Sequence, residues 1–191
     1  MKKNPDRSKQ DLPARERILL TAHDLFYMDG VRATGIDKII AESGVTKVTF
    51  YRHFPSKDDL IRAFLAYRHE RWLTWFKEAV ARHGSDVNAL PKAMHEWFSQ
   101  PDFRGCAFLN SVSELSGVLP EVRNIALAHK NDVAAVIESL LPDSAQRHQL
   151  ALTLCIAMDG AITRASFDVC PENAELALAS VVRAIAADIA T

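Results

Sequence analysis

The sequence of 191 residues is poor in the features that mark exported and membrane-spanning proteins. Its three cysteines, Cys106, Cys155 and Cys170, are widely spaced and form no CxxC pair. Such a set favours neither a disulfide framework nor a zinc knuckle, and it fits a reducing compartment. No apolar run approaches the roughly 18 residues of a membrane-spanning helix. The basic start MKKNPDRSKQDLPARER is not followed by the apolar core of a secretory signal. We therefore expect a cytoplasmic protein with no membrane partner.

Sequence motifs of the common enzyme classes are also missing. The chain contains no GxSxG, HExxH, P-loop or GxGxxG pattern, and its seven histidines are scattered without a carboxylate at metal-site spacing. We therefore expect no catalytic residue, no cofactor and no metal site. A small enzyme on a helical scaffold remains open as an alternative class, with Cys106 as nucleophile and His129 as base.

Charge is unevenly divided along the chain. Residues 1–85 hold 16 Lys and Arg against 11 Asp and Glu, whereas residues 86–191 hold 7 against 13. A basic first part beside an acidic second part favours a polyanionic partner for the first part only. Imbalances of this size also arise by chance, so the inference of a polyanionic partner needs a supporting motif.

Apolar residues recur at helical spacing along the chain. Ile18, Ala22, Leu25 and Phe26 mark one buried helical face, and comparable stripes follow in later segments. No segment alternates with the period of two that strands require. The pattern predicts an all-α chain of about nine helices.

Three polar side chains are placed to begin helices. Thr34 and Ser56 each have an acidic residue three positions on, so Thr34–Asp37 and Ser56–Asp59 resemble capping boxes. Thr46 can cap the short helix between them. The sequence therefore predicts short second and third helices and a longer fourth helix.

The second and third predicted helices are joined by the tight turn Ser43-Gly44-Val45, which is the plan of a helix-turn-helix. At about 100° per residue, Phe50 and Phe54 share one face of the third helix and can point into the core. Val48, Tyr51 and Arg52 fall on the opposite face, with Lys47 at its edge. An outward set of basic and hydroxylated side chains suits a helix that enters the DNA major groove.

The stretch TGIDKIIAESGVTKVTFYRHFPSKDDLI resembles the N-terminal signature of the TetR/AcrR-type transcriptional regulators. The Gly-Val turn, the Phe-Tyr-x-x-Phe block and the Ser-Lys-Asp-x-Leu start of the next helix follow the family's order and spacing. The resemblance covers roughly residues 14–62. It implies a three-helix helix-turn-helix DNA-binding domain, residues 1–57. A long helix would join this domain to a helical effector-binding and dimerisation domain, residues 58–191.

The resemblance also implies which side chains meet DNA. Lys47 and Val48 lie near the start of the recognition helix, where Lys can donate to guanine and Val can touch a thymine methyl. The family often has a smaller residue at the position of Val48, a departure that bears on base preference. Arg52 is expected to be either a phosphate contact or a base reader. The full set of expected DNA contacts is Thr34, Thr46, Lys47, Val48, Thr49, Tyr51, Arg52, His53 and Lys57.

A small-molecule site in the C-terminal domain is the second element that the resemblance implies. Aromatic rings are dense between residues 72 and 108, and such rings can line an apolar pocket between helices. We expect most of these rings to be core residues, and we consider polar residues beside apolar stripes the better candidates. The expected ligand contacts are Trp72, Trp75, Phe76, Trp97, Phe108, Asn110, Glu114, His129 and Asp159.

The segment RGCAFLNSVSEL resembles a Gly-Cys segment that a subset of the family has at the start of the sixth helix. A thiol at a helix N-terminus beside a cation such as Arg104 favours the reactive thiolate, so Cys106 is a candidate sensor of oxidants or electrophiles. The interpretation we prefer is that Cys106 is a small buried residue that packs against the next helix.

The last predicted helices are rich in small residues, as in AMDGAITRA and LALASVVRAIAADIA, and small residues let helices approach closely. The resemblance implies a homodimer that forms through these two helices. The resemblance thus implies a ligand-responsive repressor that leaves a near-palindromic operator when a small molecule binds its C-terminal domain. The expected partners are operator DNA, a small-molecule effector and a second copy of the chain.

Overall fold

The computed structural model describes residues 11–189, and that range contains nine α-helices and no strand. The helices are α1 Ala14–Asp29, α2 Ile36–Ser43, α3 Lys47–His53, α4 Lys57–His83, α5 Ala89–Phe98, α6 Ala107–Leu115, α7 Val122–Glu138, α8 Arg147–Ala165 and α9 Pro171–Ile189. The prediction of an all-α chain with about nine helices is confirmed. Residues 1–10 and 190–191, which include part of the basic N-terminal stretch, lie outside the described residues. Over the described range, every helix is too short or too polar to span a membrane.

The chain divides into two compact units. The first unit takes the chain up to Glu70 and adds Ala107–Ile125, which contains α6. The second unit comprises Arg71–Cys106 and the chain from Ala126 onward. The helices α4 and α7 therefore each contribute residues to both units. The predicted domain division at residues 57 and 58 stays a prediction, and no pattern in the sequence indicates that α6 belongs to the first unit.

Local chemistry sets the helix ends in the first unit. Gly30 ends α1 at a φ of 89°, and Gly44 ends α2 at a φ of 64°, a left-handed conformation that glycine adopts without strain. The Thr46 hydroxyl accepts the Thr49 backbone N–H over 3.2 Å and caps α3. At the start of α4, the Ser56 hydroxyl accepts the Asp59 backbone N–H over 3.1 Å and donates to its carboxylate over 2.6 Å.

The capping box predicted at Thr34 is wrong. The residue before α2 is Gly35, and no side chain caps this helix. The Thr34 hydroxyl instead donates to the Gly30 carbonyl over 2.7 Å, and Thr34 is only 1% exposed. The Gly30 carbonyl, at the end of α1, thus accepts the Thr34 hydroxyl that the sequence pattern predicts as the cap of α2.

The core of the first unit is formed where α1 packs on α2 and α3. Ile18, Ile39 and Phe50 are fully buried, and Phe54 is 2% exposed. Burial of each such side chain stabilises the fold by about 1.5–3 kcal/mol. The packing of α1 against α2 and α3 thus holds α3 in place with its other face outward.

The second unit is built on contacts of α9 with α5 and α8. Met94 on α5, Leu154 and Met158 on α8, and Leu178 and Val182 on α9 are each at most 2% exposed. The polar ends of His95 and Glu175 join α5 to α9 at 3.0 Å. This unit has its own apolar core and holds most of the aromatic side chains predicted to contact a ligand.

Candidate functional site

The outward face of the recognition helix α3 is exposed as the angular spacing predicts. Phe50 is fully buried, whereas Val48 is 70% exposed and Tyr51 is 39% exposed. The Tyr51 ring meets the Phe50 ring edge to face, with centroids 5.3 Å apart, which holds the phenol at a defined place on the surface. The inner ring thus orients an outer hydroxyl that is available to a partner.

The residues on either side of Tyr51 along α3 carry hydroxyl groups and cations. Thr46 and Thr49 lie at the start of α3, where their hydroxyls are 2.9 Å apart. Lys47 and Arg52 are exposed, and no acidic side chain among residues 11–189 pairs with either of them. His53 ends the helix and is half-buried. Donors and uncommitted positive charge on one small face can bind phosphate groups.

Two expected DNA contacts have their side chains turned inward. Thr34 is buried and bonded to Gly30, as described above, so its hydroxyl is not on the surface. Lys57 is the first residue of α4, but its ammonium donates to the Val31 carbonyl over 2.7 Å and lies 5.9 Å from the centre of the Phe26 ring. Desolvation by burial lowers the pKa of Lys57. Both side chains are occupied in holding the first unit together.

Glu114 on α6 was expected to contact a ligand, and the structure places it against the loop between α1 and α2. Its carboxylate accepts the backbone N–H of Arg32 over 2.8 Å. Phe108 and Asn110 on the same helix also belong to the first unit, Phe108 as a buried residue and Asn110 as an exposed one. These three residues are not in the unit that contains the other expected ligand contacts.

Five of the expected ligand contacts do come together in the second unit. The Trp72 ring stacks on Phe76 at 4.9 Å and meets Trp97 and His129 edge to face, each at 5.4 Å. Trp75 lies 6.0 Å from Trp72 and is half-buried. We call these five residues the aromatic cluster. They come from α4, α5 and α7, so only folding could bring them together.

The centre of the aromatic cluster contains an unsatisfied donor. Trp72 is 4% exposed, and its indole Nε1–H has no hydrogen-bond acceptor among the described residues. A buried donor without an acceptor destabilises the fold by about 1–3 kcal/mol. A bound molecule that brings an acceptor atom would remove this penalty.

Asp159, the remaining expected ligand contact, forms an ion pair with Lys130. Burial alone lowers the pKa of Lys130, but the electrostatic influence of Cys106 and Asp159 and the hydrogen bond that Lys130 donates to Asp159 outweigh it, and the net pKa is raised. Lys130 was missed from the sequence. A lone lysine between the buried positions His129 and Val133 of α7 is the signal that could have identified it.

The cysteines near this ion pair are buried. Cys106 is 5% exposed and directly precedes α6, while Cys155 is 7% exposed. Desolvation by burial raises the pKa of Cys155 to about 11. Arg104, the expected activating cation, donates to the carbonyl of Phe103 over 2.8 Å. Burial of Cys106 favours a packing role, and its reactivity stays a prediction. No group of residues between 11 and 189 has the composition to hold a metal ion.

Comparisons with known proteins agree with the N-terminal signature. The family model for bacterial regulatory proteins of the tetR family matches residues 18–64, from α1 into α4. The crystal structure of SCO4454, a TetR-family transcriptional regulator from Streptomyces coelicolor, is 30% identical in sequence and has a TM-score of 0.83. The match covers 96% of this chain and 91% of that chain.

Curated relatives match over a shorter stretch. The HTH-type transcriptional regulator YxaF of Bacillus subtilis (strain 168) is 42% identical over 90 residues, which are 47% of this chain and 47% of the relative. The HTH-type transcriptional regulator UidR of Escherichia coli (strain K12) is 33% identical over 91 residues, 46% of each. The match thus spans about half the length of these relatives. With the full-length similarity to SCO4454, these findings show that the chain belongs to the TetR family and is a DNA-binding transcriptional regulator, not an enzyme.

Proposed function

We propose that the protein is a homodimeric repressor that leaves its operator when a small molecule binds the aromatic cluster. DNA binding follows from its family, and a DNA-binding regulator acts in the cytoplasm of a bacterial cell. The effector response rests on one observation above all, the buried Trp72 indole N–H without an acceptor among the described residues. The two parts of the proposal, the DNA contacts and the effector site, have separate tests.

We expect the outward face of α3 to contact DNA. Tyr51 and Thr49 would donate to phosphates, while Lys47 and Val48 would face base edges. Thr46 and His53 flank this face at the two ends of the helix. We leave out Thr34 and Lys57, whose side chains are committed within the first unit.

The role of Arg52 can be decided by the salt dependence of binding. If Arg52 contacts a phosphate, Arg52→Ala should make the negative slope of log K against log salt less steep by about 0.9 per protomer. If it reads a base, the slope should change little, and discrimination at one base pair should fall by about 1–3 kcal/mol. Fluorescence anisotropy over a salt series measures the slope, and the same titration on duplexes with single base-pair changes measures the discrimination. Arg123→Ala, an exposed arginine outside α3, is the matched control and should change neither quantity.

The effector proposal commits to a class of molecule. The rings around Trp72 offer an apolar, polarisable environment, and the indole offers one donor. The nearby cation Lys130 is already paired with Asp159. We therefore expect an uncharged planar molecule with a carbonyl oxygen, which would accept the indole N–H.

Replacement of Trp72 by phenylalanine keeps a ring against Phe76 but removes the N–H donor together with part of the indole ring. For ligands found by thermal shift, Trp72→Phe should weaken binding by about tenfold, the effect of one net hydrogen bond of about 1.4 kcal/mol. Ligand analogues without the carbonyl oxygen should lose only the ring contacts, so their smaller difference in affinity between the two proteins serves as the reference for the hydrogen bond. Equal binding of the carbonyl ligand by both proteins would exclude the indole contact. Ligands that bind but leave the operator complex intact in a gel shift would contradict the proposed release.

Dimerisation is proposed through α8 and α9. On α8, Leu152 is 43% exposed and Ile156 is 65% exposed, and Gly160 continues the same face one turn on. On α9, Leu176 is 62% exposed and Val181 is 36% exposed. Exposed apolar side chains on two neighbouring helices indicate a protein interface, and a second copy of the chain would bring two recognition helices to the two half-sites of an operator.

A further inference from the structure

The loop between α1 and α2, residues 30–35, is held by a side chain from a helix far along the chain. Glu114 on α6 accepts the Arg32 backbone N–H through its Oε2 atom over 2.8 Å. A Cβ atom placed on Gly30 would lie 3.2 Å from Oε1 of the same carboxylate. The carboxylate therefore contacts the loop closely, and Gly30 provides both the positive φ and the space.

A second side chain holds the same loop from α4. Lys57 donates its ammonium to the carbonyl of Val31, which lies between the two residues that Glu114 contacts. The negative charge of Glu114 opposes the desolvation of Lys57 and favours its charged form. Val31 itself is 2% exposed. These contacts form one set, which we call the loop clamp: the Glu114 carboxylate, the Lys57 ammonium and loop residues 30–32.

The clamped loop leads directly into α2, the first helix of the helix-turn-helix. The Thr34 hydroxyl ties the far end of the loop back to Gly30, and Lys38 on α2 pairs with Asp29 at the end of α1 over 2.8 Å. From α2 the chain passes through the tight turn at Gly44 directly into α3. A shift of the loop would therefore carry α2 and α3 with it.

From these contacts we infer that Glu114 is a positioning residue for DNA binding. Its carboxylate fixes the α1–α2 loop and so sets the orientation of the recognition helix, without contact to DNA. This role of Glu114 concerns DNA binding by the protein without a ligand, and it does not depend on the proposed effector.

The test compares variants of Glu114 without any ligand present. Glu114→Ala removes the acceptor and should weaken binding to a selected operator duplex by about 5- to 20-fold, within the roughly 2- to 30-fold range seen for coupling residues. Glu114→Gln keeps an oxygen for the Arg32 N–H and should recover most of the affinity. The matched control is Glu121→Gln, which removes a carboxylate of the same unit that pairs with Arg62 and not with the loop. It should bind within about twofold of the unmodified protein.

Two further readouts separate positioning from loss of folding. Amide hydrogen exchange should show faster exchange at Arg32 in Glu114→Ala, while the thermal unfolding midpoint stays close to that of Glu121→Gln. The slope of log K against log salt should stay unchanged, because no phosphate contact is removed. Unchanged operator affinity with a freed Arg32 amide would overturn the inference, and so would an Arg32 amide that remains protected. A Glu114→Gln variant as weak as Glu114→Ala would also contradict it.

Discussion

Tyr51→Ala is expected to weaken operator binding by about 100-fold or more. A hydrogen bond to a charged group contributes about 1.5 kcal/mol or more, and a dimer with one recognition helix on each half-site loses two of them. The combined loss of about 3 kcal/mol corresponds to more than a hundredfold in affinity. Because Tyr51 is 39% exposed and contacts the Phe50 ring at its edge, the fold itself should lose only about 1 kcal/mol.

The matched variant Tyr51→Phe keeps the ring on Phe50 and removes only the hydroxyl. It should reproduce most of the loss, measured by gel-shift titration on a duplex selected from random sequences with the unmodified protein. Thermal unfolding of both variants checks that the fold remains. Retained affinity in Tyr51→Ala would exclude Tyr51 from the DNA contacts. Full affinity in Tyr51→Phe alone would show that the ring, and not a phosphate bond, is what matters.

Helix ends were predictable where one residue decides them. Thr46 and Ser56 cap their helices because the acceptor and the free backbone N–H lie three residues apart in any chain that starts a helix there. Thr34 satisfies the same rule, yet its hydroxyl also lies within reach of the Gly30 carbonyl. The sequence shows both partners but not their relative distances, so it could not decide between them.

The functions of charged residues were less predictable than those of apolar residues. Phe50 and Phe54 face the core because a helical repeat fixes their directions. Lys57 and Glu114 have partners 26 and 82 residues away, and no local pattern specifies such partners. Sequence reasoning therefore assigned Lys57 to DNA and Glu114 to a ligand, while the structure places both on one loop.

The candidate ligand site was only partly predictable, because some of its residues are far apart in the sequence. Trp72, Trp75 and Phe76 share a stripe of α4 that spacing alone reveals. Trp97 and His129 join them only because α5 and α7 meet α4 in the second unit. The unsatisfied indole donor depends on all of these neighbours at once, so no sequence pattern could have indicated it.

Ile156→Asp is expected to separate the proposed dimer and, with it, to remove operator binding. Ile156 is 65% exposed in the single chain, so a charge there leaves the protomer folded. Between two protomers the same charge would be buried without a partner, at a cost of several kcal/mol for each copy. The control is Leu127→Asp on α7, which is 60% exposed and lies outside the proposed interface. Analytical ultracentrifugation should show a monomer only for Ile156→Asp.

Gly160 provides a test with opposite effects on protomer and dimer. A Cβ atom at Gly160 would meet no other atom within 4 Å in the single chain, so nothing in the protomer requires glycine there. Gly160→Ala should therefore stabilise the protomer by up to about 1 kcal/mol through helix propensity. If a partner helix packs closely on this face, the added methyl group should nevertheless raise the dimer dissociation constant. A dimer dissociation constant that does not rise would place the interface elsewhere, because a methyl group at Gly160 can only obstruct a partner helix that packs closely on this face.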